Sequence, residues 1–190
     1  MVGTPFLMGS RVLLRSLVED DMAGPYLSWF NDEEVCRGNS HHAYPFTPED
    51  ALRYIREESR RRDTLALAVT VRADGRHIGN ITLQRIQTIN RTAEFAIVIG
   101  DKSAWRQGYA TEAATLLCHH GFTALNLHRI ECGTFADNES MIRLAERLGM
   151  REEGRRRDAA FKSGRYVDIV EFGVLSGEFV AHVSKGEEPA

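Results

Sequence analysis

The sequence predicts an α+β fold, a single domain with helices flanking a mostly antiparallel twisted sheet. Three observations predict it. Between residues 64 and 99 the apolar residues follow period two, with turn signals at Asp74-Gly75 and Asn90-Arg91, so three strands run as a meander. After Gly108 the period lengthens, and Ala110, Ala114, Leu117, Gly121 and Leu125 form one helical stripe. Strand and helix patterns then alternate once more before two closing strands joined at Ser163-Gly164.

Taken in order, Arg11 to Arg15 is a short apolar run that reads as the first strand. Glu19-Asp20-Asp21 opens a helix, because acids favour its positive end, and Met22, Tyr26, Leu27 and Phe30 give it an apolar face. Asn31-Asp32 breaks that helix; a further short turn reaches Val35, and Gly38 to Tyr44 is a loop. Thr47 is an N-cap with Pro48 at the first helical position, and the helix runs to about Arg62. The meander strands are Thr64 to Val71, His77 to Ile89 and Thr92 to Ile99. His128 to Phe135 is the next strand. Asp137-Asn138 then starts a helix carrying Met141, Ile142, Ala145 and Leu148, closed by Gly149 as a left-handed cap. Met150 to Phe161 and Tyr166 to Leu175 end the sheet.

A chain of 190 residues with 43% hydrophobic residues suits one domain, read as residues 1–180 with a polar tail at 181–190. Cys36, Cys118 and Cys132 are odd in number and widely spaced, which fits a reducing compartment and no zinc pattern, so no metal is expected. No uncharged apolar run approaches the roughly 18 residues that span a bilayer, and no signal peptide is visible; a cytoplasmic location follows as an expectation. The net charge of −3 argues against a nucleic-acid partner. Arg60-Arg61-Arg62 and Arg155-Arg156-Arg157 read as solvated faces.

The chemistry concentrates in Ala104-Trp105-Arg106-Gln107-Gly108-Tyr109-Ala110-Thr111-Glu112-Ala113, between a strand and an amphipathic helix. Unpaired N–H groups and the helix dipole make such a junction a site for a diphosphate. Gly108 admits close backbone approach, Ala110 leaves the first turn clear and Arg106 is placed to pair with a phosphate oxygen. No Gly-Lys-Ser/Thr follows, so this is not a Walker loop. The preceding strand belongs to an antiparallel meander, so it is not a Rossmann fingerprint either.

This segment resembles the acetyl-CoA pyrophosphate loop of the GNAT superfamily of N-acetyltransferases, Gln/Arg-x-x-Gly-x-Gly/Ala, and is especially similar to the ribosomal-protein and spermidine acetyltransferase branch. Ala93-Glu94-Phe95 before the loop, Asn138 after the next strand, Arg147-Leu148-Gly149-Met150 and Gly164-Arg165-Tyr166-Val167-Asp168 agree in order. The resemblance covers about Ser10 to Leu175. Trp105 stands where the wider family has Gln or Arg, Met141 where the branch often has Ser, and Ala145 where many members carry the Tyr that protonates the leaving thiolate.

The resemblance implies an N-acetyltransferase that moves an acetyl group from acetyl-CoA to a primary amine by direct attack in a ternary complex. The acceptor is a protein N-terminus, an amino sugar or a polyamine. It places acetyl-CoA on Ile97, Val98, Ile99, Trp105, Arg106, Gln107, Gly108, Tyr109, Ala110, Thr111 and Asn138, with a backbone N–H of Ile97 to Ile99 facing the oxyanion. Glu94 is the expected base, its carboxyl raised by desolvation in an apolar strand; the alternative is an outward Glu paired across the sheet. Asn138 is equally an N-cap. Glu33, Asn39 and His42 are candidate acceptor contacts, or parts of a solvated helix connection. Cys132 reads as buried rather than nucleophilic. Homodimers are common among the resembling enzymes, and no feature of this sequence fixes one. A non-catalytic acyl-CoA-binding module on the same fold is the alternative.

Overall fold

Strands β1 (Pro5–Met8) and β2 (Val12–Ser16) open the chain as an antiparallel pair in the computed structural model, which describes residues 4–179. The tail expected at 181–190 lies outside the described residues. The sequence predicts β2 and misses β1. At the sheet edge β1 leaves Phe6 and Met8 exposed, so it carries no two-faced pattern.

The helix expected from Glu19 to Phe30 is divided into a 3-10 turn, Glu19–Ala23, and the short helix α1, Tyr26–Trp29. Pro25 divides it. The residue before a proline is pushed out of the helical region, and Gly24 is extended at φ −96° and ψ −162°. Helix α2 (Pro48–Arg56) starts as predicted: Thr47 accepts from Asp50 N–H, and the Asp50 carboxylate accepts from Thr47 N–H. It stops at Arg56, before the expected Arg62, and a short 3-10 turn, Glu58–Arg60, follows. Arg56 pairs with Glu19 at 2.7 Å.

The meander forms as strands β3 (Leu65–Val71), β4 (His77–Gln87) and β5 (Thr92–Ile99), with β4 ending before the predicted Ile89. The register shifts between Gln84 and Gln87, where Arg85 adopts φ +52°. Helix α3 (Tyr109–Thr123) buries Ala114, Leu117 and Gly121 as expected, but Leu125 falls past its end and is 39% exposed. Strand β6 (Arg129–Phe135), helix α4 (Glu139–Arg147) and strands β7 (Arg151–Lys162) and β8 (Arg165–Leu175) follow in the expected order. Gly149 ends α4 at φ +75°.

The eight strands lie in the order β1-β2-β3-β4-β5-β6-β8-β7, and β5–β6 is the parallel pair. Helices cover both faces. Leu67, Val69, Phe95, Leu117 and Leu144 pack in the core beneath α3 and α4, while Ala66, Ala68, Tyr26, Trp29 and Ile55 pack beneath α1 and α2. This accounts for β3 and the first half of β4, which are buried on both faces.

A buried ion pair fixes the first connection to the sheet. Arg15 on β2 donates two hydrogen bonds to Asp21, at 2.9 and 2.5 Å, and His77 Nδ1 lies 3.3 Å from the same carboxylate. Burial pushes the Asp21 carboxyl up, but Arg15, His77 and the Val18 N–H outweigh it and hold it well below the usual carboxylate range.

Candidate functional site

The site begins where β5 and β6 separate. Their parallel pairing covers Thr92 to Glu94 against Arg129 to Glu131 and then stops. Beyond it β5 pairs only with β4, from Phe95–Leu83 to Ile99–Gly79, and β6 only with β8, from Cys132–Phe172 to Phe135–Ile169. A wedge opens between two strands of one sheet.

Backbone alternation decides what faces the wedge. Gly100 N–H donates to Ile78 O on β4, so Val98 and Ala96 also turn their backbone groups to β4. Ile97 and Ile99 therefore turn theirs into the wedge. There the Ile99 carbonyl accepts from the Trp105 indole N–H at 2.7 Å. The groups left for an extended ligand are both backbone groups of Ile97 and the N–H of Ile99. Val98 contributes its side chain to the α1–α2 layer instead.

At the wide end of the wedge stands the N-terminus of α3. Gly108 is its N-cap at φ +84°, with no side-chain cap, so the first N–H groups of the helix are open. Arg106 also takes a left-handed conformation, φ +59°, and Gln107 donates to Ser103 O, which together turn the chain tightly into the helix. Tyr109, Ala110 and Thr111 form the first turn. A β-carbon on Gly108 would meet only Arg11 Nη1, at 3.5 Å. Uncapped N–H groups, a positive dipole end and a bare glycine fit a diphosphate.

Both tryptophans brace this junction. Trp105 holds the end of β5 from the loop side. Trp29 on α1 lies against Gly100 so closely that a β-carbon there would come within 2.0 Å of its ring.

Glu94 is the last β5 residue paired with β6 and sits at the vertex of the wedge. Its neighbours on the same strand face are Ala96 and Val98, so it points to the side of α1 and α2. It is not enclosed by apolar groups as expected: Arg85 from the β4 bulge lies 2.7 Å away. Cys132 is at the same vertex on β6. Burial, with Glu171, Glu94 and Glu131 nearby, pushes its thiol up to about 12.

Asn138 caps α4 by accepting from Met141 N–H at 3.2 Å. Its amide donates to Gly38 O at 2.9 Å and to Thr134 Oγ1 at 3.1 Å. The side chain thus engages the loop after α1. That loop crosses the mouth of the wedge, because Lys102 after β5 pairs with Asp32 and Glu34 at 2.8 and 2.7 Å. Lys162 on the β7–β8 hairpin donates to His41 O at 2.7 Å. Asn39 accepts from His41 N–H, His42 is exposed at φ +69°, and Glu33 is exposed. Met141 packs on the core and Ala145 is fully buried, so neither offers a polar group to the wedge.

Sequence reasoning misses Arg11, Gly100, Lys102 and Lys162, which act through contacts distant in the chain. A glycine directly after an apolar strand, as at Gly100, is the one local signal among them. Among the described residues no group of His, Cys, Asp and Glu is arranged to hold a metal, and no helix is long and apolar enough to cross a membrane.

A family model described as an acetyltransferase (GNAT) domain matches residues 11–151. An uncharacterized N-acetyltransferase p20 of Bacillus licheniformis is 29% identical over 177 residues, covering 91% of this chain and 97% of its own. A spermidine N(1)-acetyltransferase of Escherichia coli (strain K12) is 30% identical over 136 residues, covering 71% and 69% respectively. Among solved structures, spermidine N-acetyltransferase from Vibrio cholerae, in complex with CoA and spermine, superposes with a TM-score of 0.82. It is 24% identical and covers 90% of this chain and 99% of its own.

Proposed function

The chain belongs to the GNAT acetyltransferase family, and from that premise we propose that the wedge and the α3 N-terminus bind acetyl-CoA for direct attack by a primary amine. The activity class, acetyl-CoA-dependent N-acetyl transfer to an amine, follows from membership of the family. The reading of this site rests on one observation: the broken β5–β6 pairing leaves backbone groups of Ile97 and Ile99 unused, in line with the uncapped end of α3. An extended pantetheine arm pairs with the former and the diphosphate lies on the latter.

The acetyl group then lies near the vertex, with the Ile97 N–H as donor to the developing oxyanion. A free alkyl ammonium titrates at about pH 10.4, so a base must take its proton before attack. Glu94 is that base, approached from the side of α1 and α2. Holding both substrates in line supplies much of the rate without an acyl-enzyme. Cys132, protonated and buried, takes no part. With Ala145 in place of a tyrosine, the thiolate leaves without a side-chain acid at that position.

The loop of residues 32–42 forms the acceptor wall, with Glu33, Asn39 and His42 as its candidate contacts. A polyamine comes first among acceptors because of the Escherichia coli relative; amino sugars and protein N-termini follow. A cytoplasmic location and a homodimer accompany this reading as expectations, and sedimentation mass tests the latter. The decisive experiment is thiol release from acetyl-CoA against a panel of spermidine, amino sugars and free N-terminal peptides, with product mass measured. CoA binding without thiol release on any amine would instead support a non-catalytic acyl-CoA module.

A further inference from the structure

Resting on the acetyl-CoA reading of the α3 N-terminus, we propose that Arg11, carried in on the β1–β2 turn, is a ligand of the CoA diphosphate. It sets a preference for CoA over phosphate-free pantetheine compounds.

Arg11 lies almost a hundred residues from the loop in sequence, yet its guanidinium sits 4.5 Å from the centroid of the Tyr109 ring. One of its terminal nitrogens is 3.5 Å from the place a β-carbon on Gly108 would occupy. The turn that carries it is fastened to α3. Glu112 Oε1 accepts from the Arg11 N–H at 2.8 Å and from the Ser10 hydroxyl at 3.0 Å, and the Arg11 carbonyl accepts from Arg72 N–H at 2.8 Å. Glu112, the acid of the first turn of α3, therefore faces the β1–β2 turn.

The charge of Arg11 is left over. Among the described residues no carboxylate meets its guanidinium, whereas Arg76 at the same end of the sheet pairs with Asp101 and Asp74. A cation stacked on an aromatic ring keeps its outer N–H edge open. Here that edge lies beside the glycine whose helix offers N–H groups to an anion. A guanidinium in this position adds charge-assisted, two-pronged hydrogen bonds to the backbone donors. Stacking on Tyr109 has already restricted its rotamers, so little ordering remains for the ligand to impose.

Calorimetric titration of wild type, Arg11→Met and Arg11→Lys with CoA, dephospho-CoA and pantetheine tests the assignment. Arg11→Met is expected to weaken CoA and dephospho-CoA alike, by roughly tenfold to a hundredfold, and to leave pantetheine unchanged. Arg11→Lys should recover part of the loss, and the salt dependence of CoA binding should flatten in Arg11→Met. Unchanged CoA affinity in Arg11→Met overturns the assignment. So does a loss confined to CoA, which would place Arg11 on the 3′-phosphate. An equal loss on pantetheine would reduce it to a support for Tyr109. If wild type binds none of the three, the acetyl-CoA reading itself fails, which the variant comparison keeps separate from a failure of Arg11.

Discussion

Glu94 stands where the last rung of β5–β6 pairing ends, and its replacement by Gln keeps size while removing proton acceptance. We expect Glu94→Gln to lower kcat at neutral pH by about 10²- to 10⁴-fold with acetyl-CoA affinity little changed. The variant's rate should recover as pH rises and the free amine accumulates. Equal rates across the pH range would exclude Glu94 as the base. The carboxylate was visible in sequence, but its partner was not: Arg85 reaches it through a bulge at φ +52°, and nothing local announces that turn. Asp21 poses the opposite case, a buried carboxylate with a structural role. Asp21→Asn would leave the Arg15 guanidinium buried without its counter-charge, costing about 3–5 kcal/mol in denaturant unfolding. Because Asp21 is depressed below its ordinary 3.8 in the folded protein, its contribution is fully present above about pH 4. It is lost as pH falls from there towards the folded value. Wild-type unfolding midpoints should fall over this range, and Asp21→Asn should fall less steeply, the remainder coming from other carboxylates held below their ordinary values, such as Glu19 and Asp32.

Strand and helix periods made most elements legible, and the exceptions have physical causes. The stripe of α3 and the cap at Gly149 were readable because each depends on residues within two turns. The division at Pro25 has a local cause in the proline, which the helical spacing of Met22, Tyr26 and Phe30 masks. β1 was not, since an edge strand of four residues has no buried face to mark it. At the level of the loop, the sequence singles out Gly108 for close backbone approach to a phosphate, and the structure adds a conformational requirement, φ +84° at the N-cap of α3. Gly108→Ala would force a β-carbon into the left-handed region at roughly 1–2 kcal/mol. It has room, since only Arg11 stands within 4 Å. We therefore expect a folded variant with a modestly lower Tm and a clearly weaker CoA affinity by calorimetry, because relaxing the strain reorients the N–H groups. Unchanged CoA affinity would separate this loop from the diphosphate.

Across the whole molecule, one polar residue links two halves of the chain that sequence spacing keeps apart. Asn138 joins α4 to Gly38, and Lys102 and Lys162 hold the same loop at its two ends. The fit at Gly38 is close, since a β-carbon there would come within 2.5 Å of the Asn138 amide. The family resemblance sends Asn138 towards the CoA arm; its hydrogen bonds send it to the acceptor wall. Asn138→Asp distinguishes the two. A carboxylate still accepts from Met141 N–H and so still caps α4, but it has no N–H for the Gly38 carbonyl and faces that oxygen with like partial charge. If the wall is what Asn138 holds, acceptor KM rises several-fold while the calorimetric CoA affinity stays near wild type and α4 remains folded by circular dichroism. If Asn138 reaches the CoA arm instead, CoA affinity falls and acceptor KM holds. The first outcome is expected, because both amide hydrogens of Asn138 have partners, at Gly38 O and Thr134 Oγ1, and its Oδ1 already accepts from Met141 N–H, which leaves a CoA amide one lone pair at most.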